Sequence, residues 1–362
     1  MVLQTILVYV FLLIILYLLA SAADKNNNFS FILLGVFIYA IIFGLRSGVG
    51  VDFWGYKEWY DELKLWGSDV SEFEIGFTGL GMLCVNLHLS SAFFFGLIAF
   101  LQLFLIFAAV KPYSGSYRML VLTFMLGCIW LSYANGLRQQ LAFCIFAYSI
   151  QFIDNKSLGK YCISVILAAL CHTSAILLLI VYPLCQLKTE WFHRVVVQCI
   201  LLAAALILSN LSVVTKLVEH IDDFAIYLGY GVYFESDEFE FTKEVSIGIG
   251  FFVNLMLNLF LLINSNVVKR YYNSHYVNII YDLYFIGIIL KYIFINSQLF
   301  SRLNYYFMGF EFIFASFAIY TFMKNKQTSK FLVLLGLYVL IFIATLYRMQ
   351  SNTSLFLFYW QN

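Results

Sequence analysis

The chain has 362 residues, of which 63% are hydrophobic, 20% aromatic and only 11% charged, with a formal net charge of +1 and a mean hydropathy of +0.88. Soluble domains carry about twice that charge, and no basic tract suggests nucleic acid. The short alternating strands of a membrane barrel are missing too, which leaves an all-α polytopic membrane protein of about 10–12 transmembrane segments.

Twelve apolar segments follow one another: Val2–Ala20, Phe29–Leu45, Ile75–Leu89, Ala92–Val110, Met119–Tyr133, Leu137–Ile153, Tyr161–Leu184, Val195–Thr215, Val245–Asn264, Val277–Ile295, Leu303–Met323 and Phe331–Leu346. The first resembles a signal peptide at LLASAAD. Met1–Thr5 carries no Lys or Arg, however, and the run is too long for a cleaved leader, so it reads as a retained span. No internal repeat or soluble insert divides the chain, so residues 1–362 read as one transmembrane domain with two outer loops, 46–74 and 216–244. The seven cysteines lie in or beside apolar segments without CxxC spacing, as packing residues do. Trp54, Trp59, Trp66, Trp130, Trp191 and Trp360 fall at segment ends or in loops, where an interfacial belt is expected.

Two segments do not fit a simple crossing. Ile75–Leu89 gives about 22 Å of helix, short of the ~30 Å hydrocarbon core. Tyr161–Leu184 is interrupted at its centre by Cys171-His172-Thr173-Ser174. If both turn back or lie at the interface, ten crossings remain with both termini outside. Twelve of the 21 Lys and Arg, among them Lys111, Arg118, Lys269 and Arg270, then face the cytoplasm. Most acids, including Asp52 and Glu74, then lie outside. A full crossing by Tyr161–Leu184 would instead put KNKQTSK outside, against the positive-inside rule.

In this arrangement three arginines reach the external face at helix ends. Arg46 closes the second span in FGLRSGVGVDFWGY, before a Gly-rich turn, Asp52 and Tyr56; it either snorkels and pairs with Asp52 or meets an anion. Arg138 lies in YANGLRQQLAF, where Asn135 is a suitable N-cap and the helix start favours an anion. Its planar fork suits phosphate, and Gln139 and Gln140 add neutral donors. Arg302 lies in NSQLFSRLNYYF with Asn304, Tyr305 and Tyr306, whose rings either stack on sugar or anchor at the interface. Glu311 follows in an apolar run and should pair with an Arg. His172 lies near mid-depth, as a structural histidine or a base; His88, His193, His220 and His275 lie at segment edges.

These stretches resemble the EpsG-like, Wzy-type polysaccharide polymerases of bacteria. The match rests on LRSGVGVDFWGY, on NGLRQQLAFCIFAYSI with FIDNKSLGKYCISVILAALCHTSAIL, and on SRLNYYF; Val51 stands where the pattern would have Thr. The resemblance implies a GT-C-like helical bundle in the bacterial inner membrane. It implies polymerisation of undecaprenyl-diphosphate-linked oligosaccharide units into O-antigen, capsule or exopolysaccharide at the periplasmic face.

In such a reaction the donor is a glycan on a lipid diphosphate and the acceptor a sugar hydroxyl of a second lipid-linked unit. Arg46, Arg138, Arg302 and Gln139 would bind the diphosphate, and Tyr56, Tyr305 and Tyr306 the sugars. His172 or Asp52 would take the acceptor proton. No metal-ligand cluster is evident, so the guanidinium groups would do the work of a divalent cation, without a cofactor. A chain-length regulator and a flippase are expected neighbours by family analogy. A lipid-linked oligosaccharide flippase or transporter, a membrane O-acyltransferase and an O-antigen ligase remain alternative readings of the same residues.

Overall fold

The computed structural model describes residues 2–113, 115–187, 194–209, 248–348, 356–358 and 360. The acidic loop read at 216–244, with Tyr227, Tyr230 and Tyr233, lies outside them, as do Trp191, His193 and His220. The protein is an all-α polytopic membrane protein. By length and composition, six of the described helices are able to cross a membrane, or seven if one bent pair counts as a single span. Contacts divide the chain into two compact units, Met1–Gln186 with Ala315–Asn362, and Leu187–Phe314.

The first unit begins with α1 (Val2–Asn26), α2 (Ser30–Gly44), strand β1 (Arg46–Ser47), α3 (Phe53–Trp66), α4 (Ile75–Asn86) and α5 (Ser91–Ala109). It continues with α6 (Tyr117–Leu126), α7 (Ile129–Asn135), α8 (Leu137–Asp154), α9 (Leu158–Cys171), a 3-10 helix (Thr173–Ile180) and α10 (Val181–Cys185). The helices pack in the order α1, α2, α5, α8, α9, with α6 against α1. Strand β2 (Leu357–Phe358) pairs antiparallel with β1, placing Arg46 opposite Phe358 and Ser47 opposite Leu357. The Phe356 amide donates to Thr5 Oγ1 at 2.9 Å, tying this late segment to α1.

Asp24, near the end of α1, caps the start of α6. Its carboxylate accepts from the backbone amides of Gly115 (2.9 Å), Tyr117 (3.1 Å) and Arg118 (3.2 Å), while the Arg118 guanidinium stands 3.9 Å away. Those amides have no partner within their own helix, so an acid there is the expected solution.

The apolar segment Met119–Tyr133 is not one helix. It breaks between α6 and α7 with a 70° bend, where Cys128 adopts φ +54°. The Trp130 indole closes the break by donating to the Met125 carbonyl at 3.2 Å. Trp130 is fully buried, with the Tyr9 ring 3.8 Å from it, and Trp59 is buried as well. These two therefore leave the interfacial belt, whereas Trp54, Trp66 and Trp360 are exposed as the belt requires.

Tyr161–Leu184 folds back on itself. Helix α9 stops at Cys171, and His172 is extended (φ −156°, ψ 113°). The Tyr161 hydroxyl donates to the Leu178 carbonyl at 2.5 Å, and the Tyr161 and Tyr182 rings lie 5.5 Å apart. One continuous helix would separate residues 161 and 182 by about 30 Å. The segment is a hairpin, as its polar centre suggested. The other short segment is α4, about 18 Å of helix, also too short to span.

The second unit contains α11 (Val195–Leu208), α12 (Ile249–Tyr272), α13 (His275–Ile293), α14 (Gln298–Met308) and the start of α15 (Phe310–Lys324), which runs on into the first unit before α16 (Thr328–Arg348). Its core carries polar side chains that hydrogen-bond one another. Tyr284 donates to Asn258 Oδ1 at 2.7 Å, Asn258 donates to the Tyr292 hydroxyl at 3.1 Å, and Tyr281 donates to Gln198 Oε1 at 2.6 Å. Pairing of this kind makes buried amides tolerable in an apolar core. Glu311 lies within electrostatic range of Lys291.

Candidate active site

The break between α7 and α8 organises the site. Asn135 does not cap α8; Gly136 occupies that position without a side chain. Asn135 Oδ1 instead accepts the Asp52 amide at 3.0 Å. Gly50 makes this approach possible: its φ is +96°, and a Cβ on it would come within 3.0 Å of the same oxygen. The Gly-rich turn after α2 is thereby pinned to the start of α8.

Arg46 ends up inside the protein, 1% exposed, rather than snorkelling to the surface. Its Nη2 donates to the Ala134 carbonyl at 2.9 Å and its Nη1 to the Phe43 carbonyl at 3.0 Å, not to Asp52, whose side chain is exposed. The guanidinium faces the Phe95 ring at 4.9 Å and the Phe53 ring at 5.7 Å. Its Nε has no hydrogen-bond partner among the described residues. A desolvated cation held by carbonyls and rings retains its attraction for an anion.

Arg138, in the first turn of α8, has its Cζ over the Phe73 ring, 4.0 Å from the centroid, and donates to Glu74 Oε2 at 2.7 Å. It also hydrogen-bonds Tyr56, a buried residue of α3 packed against Phe73 and Phe77. Burial raises the Tyr56 hydroxyl above its ordinary value, with the Arg138 charge opposing. Tyr56 also lies within electrostatic range of Arg46 and Asp52, so four of the residues picked from sequence fall in one neighbourhood. Gln139 is half-buried beside them, and Gln140 is buried.

The fifth residue, His172, arrives from the hairpin. Its Nδ1 lies 3.0 Å from Glu74 Oε1, which also accepts the Thr173 amide at 3.0 Å and the Thr173 hydroxyl at 3.4 Å. Burial alone would raise the Glu74 carboxyl, but the His172 hydrogen bond, the Arg138 charge and the Thr173 amide outweigh it and hold it at about 2. Close contact between helices sets this geometry: a Cβ on Gly76 would meet the Leu170 carbonyl at 2.7 Å, so the start of α4 lies against the end of α9. Glu74 was missed as a site residue. Its only mark in the sequence is that it is the last acid before the apolar run Ile75–Leu89.

In the second unit, Arg302 and Tyr305 lie one turn apart on the exposed face of α14. Asn304 points inward and donates to the Gly287 carbonyl at 2.9 Å. Of the three tyrosines expected to meet sugar, Tyr56 and Tyr306 are buried, at 7% and 2% exposure, and Tyr305 is exposed.

A family model described as the EpsG family matches residues 28–360. The chain belongs to the EpsG family. The match takes in every residue of the candidate site, and with the helical architecture it marks the chain as a membrane protein of polysaccharide biosynthesis with a polymerase-like role. Nothing among the curated proteins or the solved structures matches the chain.

Proposed function

We propose that this EpsG-family chain is a membrane glycosyltransferase that polymerises undecaprenyl-diphosphate-linked oligosaccharide units into O-antigen, capsule or exopolysaccharide at the periplasmic face of the bacterial inner membrane. The observation that carries the reading is the gathering of Arg46, Arg138, Tyr56, Asp52 and His172 at the α7–α8 break. Contacts across 64 to 98 positions bring together a partly open guanidinium, Arg138, and one imidazole, with the buried Arg46 cation behind them.

As the anomeric C1–O bond breaks, negative charge grows on the departing diphosphate. Fixed guanidinium groups lower that barrier by several kcal/mol where water is scarce. The incoming sugar hydroxyl loses its proton to His172, with Asp52 the other acid–base group at the site. The second unit carries an exposed guanidinium and an exposed ring, Arg302 and Tyr305, of the kinds that bind phosphate and stack on sugar. Gln139 adds a neutral donor, and the guanidinium groups stand in for a divalent cation. A chain-length regulator and a flippase would act beside the polymerase.

The test is polymer synthesis by purified protein from lipid-linked repeat units. Elongation in detergent, with no second leaflet, supports transfer; a flippase would give none. Arg46→Ala and Arg302→Ala should each abolish long glycans while leaving expression intact, and the corresponding Lys variants should fail too if two-pronged binding matters. Full-length polymer from the Ala variants would count decisively against the assignment.

A further inference from the structure

We infer that Glu74 is a positioning residue of the transferase site, holding His172 in the tautomer that leaves Nε2 free to take the acceptor proton and tying that base to the diphosphate-binding Arg138. The inference rests on the polymerase reading above and adds to it a residue that reading did not contain.

The argument begins with the two oxygens of one carboxylate. Oε2 receives Arg138 at 2.7 Å, and Oε1 faces His172 Nδ1 at 3.0 Å. An ionised carboxylate only accepts hydrogen bonds, so the imidazole nitrogen facing it must carry the proton. In a neutral ring that leaves Nε2 as the acceptor. Glu74 stays ionised because Arg138 and the Thr173 amide also bind it.

The backbone keeps the arrangement in register. Glu74 directly precedes α4, His172 directly follows α9, and these helix ends touch where Gly76 meets the Leu170 carbonyl. A side chain at position 76 would force the ends apart and lengthen the Glu74–His172 bond. All three side chains are partly open, at 14% exposure for Glu74, 12% for Arg138 and 23% for His172, so substrate can reach them.

The chemical step balances as follows. The acceptor oxygen bonds to the donor's anomeric carbon as the C1–O bond to the diphosphate breaks. The bonding pair leaves with the lipid diphosphate, facing the arginines. The hydroxyl proton passes to His172 Nε2, and the adjacent Glu74 carboxylate stabilises the imidazolium until the proton returns to water. Glu74 touches neither sugar nor phosphate in this scheme; it acts through His172 and Arg138.

Two measurements test the proposal. Nitrogen NMR of His172 in the full-length protein in nanodiscs should show Nδ1 protonated and Nε2 bare in the neutral ring; an Nε2–H tautomer overturns the inference, and this readout needs no activity. With lipid-linked repeat units, Glu74→Gln should lower kcat about 100-fold or more with KM little changed and reshape the pH–rate profile, while Glu74→Asp recovers part of the loss. Where Glu74→Gln fails to fold, Glu74→Asp carries the kinetic test through a reduced kcat at near-normal thermal stability. A Glu74→Gln enzyme with wild-type kcat, or with kcat, KM and stability lowered together under an unchanged profile, overturns the role assigned here. A wild-type protein that makes no polymer overturns the polymerase reading itself, a failure separate from that of the tautomer.

Discussion

Asp24 and Glu74 are both carboxylates near an arginine and backbone amides, yet they do different work. Asp24 spends its acceptors on three amides of a single helix start, with Arg118 loosely placed at 3.9 Å. Glu74 joins side chains from two other segments, an arginine at 2.7 Å and an imidazole at 3.0 Å, each suited to chemistry of its own. The difference teaches that a buried acid–arginine contact says little until the remaining partners are counted. A carboxylate surrounded by main-chain donors is architecture, whereas one that bridges two reactive side chains is a candidate for function.

The largest expected contrast is between the two arginines. Arg138→Ala should lower polymer synthesis by about a thousand-fold, whereas Arg118→Ala should leave it within about twofold; polymer ladders from equal amounts of membrane protein decide. Equal losses would erase the distinction between the clusters. A smaller contrast concerns stability. Asp24→Ala should cost about 1–2 kcal/mol through the lost cap on α6, lowering the thermal midpoint in detergent with kcat unaffected.

The smallest effect is in acid. The Glu74 carboxyl is held at about 2 against an ordinary value of 4.5. A depressed value means that the contact contributes fully above about pH 4.5 and is lost as pH falls through about 2. Exchange protection of the Thr173 amide, corrected for intrinsic rate, should therefore be flat from pH 7 to about 5 and collapse only near pH 2 to 3. Collapse already near pH 5 would mean that Glu74 is an ordinary exposed acid.

The legible parts of the fold were those written locally. Cys171-His172-Thr173-Ser174 interrupts an apolar run, and the chain turns back there because polar groups and a bare backbone disfavour a continuous span. Arg46, Arg138 and His172 stood out because charge is rare in such a composition. Pairing was not legible. Glu74 meets His172 across 98 positions and Arg138 across 64, and no local pattern announces such meetings. Asn135 obeys the rule for an N-cap, but the loop held open by Gly50 competes for its side chain and wins. Tyr305 and Tyr306 are identical in sequence terms; one step of 100° around α14 puts the first in the open and the second in the core.

The strand pair that sets Arg46 opposite Phe358 has a consequence for biogenesis. During synthesis the turn bearing Arg46 is made early, but its edge partner emerges some three hundred residues later. Until Leu357–Phe358 has been made, the arginine's edge stays uncovered. A bulky tag fused beside Trp360 would disturb the very turn that positions the buried cation.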